Sequence, residues 1–225
     1  MVWYSARMSV QEEERTMPIE PLVAACVTQI EASHSAREQV IGASRALIRQ
    51  CANSIRATHR AEFAEAERRL AEAEATVAQI AAATANKPEI RFAGYTQDAL
   101  KEFVEAQLVL AFLAGREPPG PAALGVTASA YLNGLAEAAS ELRRAILDGL
   151  RRGEVARGEA LLQIMDDVYS ELVTVDYPDA VTGGLRRTTD ALRGVVERTR
   201  GDLTAALRQD QLTAAMLELE GRLGG

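Results

Sequence analysis

Gln97 to Leu113 reads QDALKEFVEAQLVLAFL, and this stretch decides the fold. From Ala106 onward it is apolar on every side, the pattern of a helix packed inside other helices rather than one lying on a surface. At its head stand Glu102 and Glu105, three residues apart and therefore on one helical face. Phe103, Val104, Ala106, Leu108, Val109 and Leu110 crowd Glu105. A buried carboxylate needs a partner, and a cation is one such partner. Spacing alone leaves two readings open: the wet edge of an amphipathic helix, or half of a cation site.

Composition extends the helical reading outward. The chain has 225 residues, 48% of them hydrophobic and only 4% aromatic. Such a chain can bury a core, and its wealth of Ala, Leu, Glu and Arg favours an all-α protein. A net charge of -7 argues against a general polyanion-binding surface while leaving room for a local basic patch. Of 25 basic residues only Lys87 and Lys101 are lysines. Cys26 and Cys51 fall on one predicted helix, about 37 Å apart if it is continuous, so they cannot bridge. Free thiols suit a reducing compartment, and the cytoplasm is the expected location. His34 and His59 are isolated in sequence and are not expected to bind metal. The longest apolar runs fall short of the roughly 20 residues of a membrane helix, so no membrane association is expected.

Residues 1–20 show no sustained period and read as a flexible extension, leaving 21–225 as one helical domain. From Leu22 to about Ala85 the pattern predicts one very long helix or two nearly continuous ones, with a break near His59 to Ala61. Asn86-Lys87-Pro88 ends that region, and the helix of Glu102 follows from near Thr96. A further helix from about Thr127 to Arg152 carries Gly134, Glu137, Glu141 and Arg144 on one side. Another covers Glu154 to Val173. The last part reads as a helix from Leu185 to about Arg208 and a short one through Leu212, Met216 and Leu219. Short loops predict a single antiparallel bundle of about six to seven helices, with only the long N-terminal helix projecting beyond it.

Arg45, Arg49, Arg56 and Arg60 lie within about 60° of one another on a helical wheel, a basic stripe beside the apolar one. Between Ala36 and Arg60 five arginines meet one acid, Glu38. A solvated face paired with acidic neighbours is the plain reading, and phosphate contact is the functional one.

Four blocks in order resemble the translin superfamily, specifically its translin-associated factor X (Trax) branch. They are SRALIRQCANSIRATHR at Ser44 to Arg60, EFVEA at Glu102 to Ala106, YLNGLAEAASELRR at Tyr131 to Arg144, and DYPDAVTGGLRRTTDALRGVVERTRGDLT at Asp176 to Thr204. The resemblance implies an all-α bundle assembled into hollow octamers with nucleic acid inside. Its Trax-type subunits carry a Mg2+-dependent endoribonuclease site, with Mn2+ as a substitute. Carried over residue by residue, the catalytic carboxylates fall on Glu102, Glu105 and Glu137, and the metal ligands on those three and Glu141, with a supporting place behind the ligands or a pairing with Arg144 as the alternative for Glu141. The sequence departs from the pattern at Glu137, where aspartate is usual, and at Ala130, where an acid often precedes the tyrosine. The implied partners are single-stranded RNA, with single-stranded DNA as a second candidate, and further copies of the chain in a homo-octamer. A non-catalytic translin-like binding protein is the alternative.

The chemistry supports the constellation on its own terms. Mg2+ takes oxygen ligands and is commonly held by one or two carboxylates together with substrate phosphates. Two helices presenting two glutamates each supply such ligands if they face one another.

Overall fold

The computed structural model describes residues 19–223. Among them helices follow in the order α1 (Ile19–His59), α2 (Phe63–Thr84), α3 (Pro88–Arg91), α4 (Gly94–Leu113), α5 (Pro121–Leu124), α6 (Ala128–Leu150), α7 (Val155–Leu172), α8 (Asp179–Thr182) and α9 (Leu185–Leu223). Because α3, α5 and α8 are four-residue turns of helix, six long helices build the bundle. The extension expected at 1–20 lies outside the described residues up to Pro18, and Ile19 already belongs to α1.

The break between α1 and α2 falls where the sequence placed it. Arg60 and Ala61 form a turn, with Ala61 in the left-handed region at φ 58°. Its amide donates to the carbonyl of Thr58 at 2.9 Å, and Glu62 N donates to that of Ala57 at 3.0 Å, closing the end of α1. Ser54 Oγ then bonds the carbonyl of Ala66 at 3.0 Å, clamping α2 back along α1.

α4 lies between α1 and α6, while α7 and α9 pack on the other side of α6. The all-round apolar run of α4 finds its reason here: Phe103, Val104, Leu108 and Val109 are at most 1% exposed because helices flank it on both sides. Each such side chain contributes about 1.5–3 kcal/mol by leaving water. Leu47, Leu142, Ile146, Met165, Leu192 and Leu203 continue the same core.

The end of the chain departs from expectation. Instead of a helix to Arg208 and a short separate one, α9 runs unbroken to Leu223. No proline interrupts 208–223, and Ala, Leu, Gln, Glu and Arg there sustain a helix by propensity. The last buried residue of α9 is Leu203, so its C-terminal part projects, as does the exposed N-terminal half of α1. Two helices therefore extend beyond the bundle, not one. Among the described residues no helix is long and apolar enough to cross a membrane.

Candidate metal centre

α4 and α6 bring the carboxylates together. α4 begins at Gly94, two residues before the predicted start, and buried Thr96 anchors its first turn through Oγ1 to the carbonyl of Ile90 at 2.8 Å. α6 is capped by Thr127, whose Oγ1 accepts from Ala130 N at 3.2 Å. The two helices cross closely at Gly134. A Cβ there would lie 2.7 Å from the Lys101 backbone oxygen and 2.7 Å from Val104 Cβ, so only glycine permits this approach.

One turn beyond that crossing, Glu137 of α6 faces Glu102 and Glu105 of α4. Each offers a carboxylate oxygen, and the three oxygens lie within 4.8 Å of one another. Glu102 and Glu137 keep 31% of their side-chain surface in solvent, so the cluster is half-buried but reachable. Lys101 supplies the nearest cation: its Nζ donates to Glu137 Oε1 at 2.7 Å and stands 4.0 Å from Glu102 Oε1.

Charge crowding marks these groups. Burial, then the charges of Glu102, Glu137 and Glu141, push the Glu105 carboxyl up to about 8, while Lys101 pulls the other way. Burial also raises Glu102, opposed by Lys101 and reinforced by Glu137 and Asp98. Cys51 on α1 reports the same field from behind, its buried thiol driven up to about 12 by desolvation and by Glu102 and Glu105. It is therefore an inert core thiol and not a ligand.

The fourth candidate stands apart. Glu141 bonds His59 at the end of α1, Nε2 to Oε1 at 2.8 Å, with the His59 side chain only 2% exposed. Arg144 Nη1 lies 4.0 Å from the same oxygen. The four-carboxylate set is thus three converging groups and one that ties α6 to α1. His59 and Lys101 are the two neighbours that sequence reasoning missed. Their one signal was rarity, since the chain holds two histidines and two lysines.

The arginine stripe falls elsewhere. The buried face of α1 runs through Val40, Ser44, Leu47, Cys51, Ser54 and Thr58, and Arg45, Arg49 and Arg56 are exposed about 160° around from it. They lie opposite the packed face, rather than beside it. Arg60 leaves the helix for the turn and pairs with Glu62 at 2.6 Å, and Arg56 bonds Asn53 at 2.6 Å. Stripe and carboxylates face different sides of α1.

An uncharacterised protein of Methanocaldococcus jannaschii is 31% identical to this chain over 180 residues, 79% of each. Two solved structures of AfC3PO, one of them in complex with duplex RNA, match with a TM-score of 0.75 at 32% identity. The match covers 83% of this chain and 97% of AfC3PO, a translin/Trax protein. The chain belongs to the translin superfamily. Apo-NeC3PO, at 17% identity and a TM-score of 0.74, shares the fold. No protein-family model matches the sequence.

The donor set suits the metal that the translin-superfamily resemblance implies. Three carboxylate oxygens are hard ligands, and Mg2+ at about 2.1 Å from each needs them drawn in to about 3 Å separation. Crowding that raises Glu102 and Glu105 is also what a divalent cation relieves. Glu137, one methylene longer than the usual aspartate, reaches the group from α6.

Proposed function

We propose that this translin-superfamily chain is a Trax-type, metal-dependent endoribonuclease that cleaves single-stranded RNA inside a hollow homo-octamer. The observation carrying the reading is the convergence of Glu102, Glu105 and Glu137 from two helices onto one half-buried point. When bound there, Mg2+, or Mn2+ in its place, supplies charge for the scissile phosphate and lowers the pKa of a water. Glu102, Glu105 and Glu137 would hold that cation at a point that keeps some contact with solvent. His59 ties Glu141 of α6 to the end of α1, which leaves that side chain beside the cluster and not in it. Arg45, Arg49 and Arg56 offer a separate, exposed cationic face for the polynucleotide backbone. The AfC3PO complex with duplex RNA supports RNA as the polymer class.

Purified protein with MgCl2 or MnCl2 is expected to cut single-stranded RNA, and Glu105→Ala to abolish cutting while the native mass of the assembly stays unchanged. Duplex RNA of the same sequence belongs in the assay as a competitor. A second reading, a non-catalytic RNA or single-stranded DNA binder, draws on the Lys101–Glu137 pair, which neutralises part of the cluster without any metal. That reading takes over if the unaltered protein binds RNA yet cleaves none of several RNAs with either ion. Neutralising Arg49 and Arg56 together is expected to weaken binding and flatten its salt dependence.

A further inference from the structure

Lys101 is one of two lysines among 25 basic residues, and it is the one set against the carboxylates. Its ammonium bonds Glu137 on α6 at 2.7 Å and stands 4.0 Å from Glu102 on its own helix. A divalent ion bound by these two residues needs oxygens of the same two carboxylates at about 2.1 Å, so ion and ammonium compete for the same pair of groups. Next to that pair lies a cavity of about 120 Å³, lined by Lys101, Glu137, Asp98, Ser129, Thr188 and Arg187. Its floor is firmly built. Asn133 Nδ2 donates to the carbonyl of Thr182 at 2.8 Å, and Thr188 Oγ1 donates to Asn133 Oδ1 at 2.7 Å, fixing α6 to the end of α8 and the start of α9.

We propose that Lys101 is the resident counter-cation of the cluster: it holds Glu137 and Glu102 together without metal, the divalent ion displaces it, and its ammonium then lies in the adjoining cavity with Arg187 against a polynucleotide phosphate. This rests on the metal reading of the same three glutamates. A lysine suits the task better than an arginine, being a compact point charge on a flexible four-carbon stem. Carboxyl groups within 4.8 Å repel one another as they ionise, and a single positive charge offsets part of that repulsion. A divalent ion offsets more, which is why the exchange runs toward metal. The cavity offers the released ammonium polar walls, and Arg187 brings a second cation to the same side of the site.

Calorimetric titration of MnCl2 into the full chain, K101M, K101Q and R187M tests this, with thermal melts of each protein with and without MnCl2. K101Q keeps a hydrogen-bond donor for Glu137 and guards against a variant that fails to fold. Both Lys101 variants are expected to bind Mn2+ about tenfold tighter than the unaltered chain, more so at low salt. They are expected to melt earlier without metal and to gain more from it. R187M, whose cation does not touch the carboxylates, is expected to keep Mn2+ affinity within about twofold. With MnCl2 present, K101M and R187M are each expected to weaken binding of an oligouridylate by about fivefold. Mn2+ affinity in K101Q equal to or weaker than that of the unaltered chain overturns displacement. Oligouridylate affinity unchanged in both K101M and R187M overturns the phosphate contact. Absence of Mn2+ binding by the unaltered chain is a different result, and it overturns the metal reading itself.

Discussion

Burial and three neighbouring carboxylates push Glu105 up to about 8, so at neutral pH the metal-free protein keeps a proton there. The unfolded chain releases that proton near 4.5. With the folded value raised, the stabilising contribution is whole below about 4.5 and is lost as pH rises through about 8. The metal-free melting temperature is therefore expected to fall across that window, and Glu105→Gln to remove the fall; melts over a pH series check it. Mn2+ must expel the same proton, so its affinity is expected to rise up to about tenfold per pH unit below 8 and to level above it, as calorimetry at several pH values reads out. His59 makes a second residue-scale case. Truncating it to alanine removes a part-buried hydrogen bond to Glu141 and is expected to cost about 1–3 kcal/mol in denaturant unfolding. Neither Glu105's proton nor His59's partner was legible in the sequence. Glu102 and Glu105 show their shared face by spacing, but Glu137 meets them, and Glu141 meets His59, only across helix contacts tens of residues apart in sequence.

At the scale of elements, the α4–α6 crossing decides whether there is a site. Gly134 sits on the face that also carries Glu137 and Glu141, and its missing Cβ lets α6 approach the backbone of α4 at Lys101. Gly134→Ala is expected to force the helices apart, destabilising the protein by about 1–3 kcal/mol. Because the carboxylates come from both helices, the same substitution is expected to weaken Mn2+ binding, while a surface control such as Gly42→Ala, which meets nothing within 4 Å, leaves it unchanged. Melting and calorimetry on the two variants separate these outcomes. The sequence placed Gly134 on the correct face of the helix. What that face touches is a matter of packing, and helical periodicity says nothing about which helix is the neighbour. The unbroken α9 shows the opposite limit: the polar run Arg208 to Gln211 interrupts the apolar spacing and reads as a break, yet propensity carried the helix through it.

For the whole molecule, the parts that project carry the message. Ile19, Val23, Val27 and Ile30 line one side of the exposed half of α1, and Leu212, Met216, Leu219 and Leu223 one side of the exposed end of α9. Steps of three and four put each set on a single helical face, which favours burial against other copies of the chain. Replacing Val23 and Val27 by aspartate, or Leu212 and Leu219, is expected to lower the native mass below that of the proposed octamer while leaving helicity intact; native mass spectrometry with circular dichroism decides it. Sequence by itself determined the all-α class, the long first helix with its break near His59, the absence of a membrane-length apolar run and the two glutamate pairs, because each follows from local periodicity, propensity and turn chemistry. Only the tertiary structure decided that three glutamates meet while the fourth turns to His59, that Lys101 stands among them, and that the arginine stripe faces away. Those outcomes depend on which helix faces pack together, and a glycine at one crossing sets that distance.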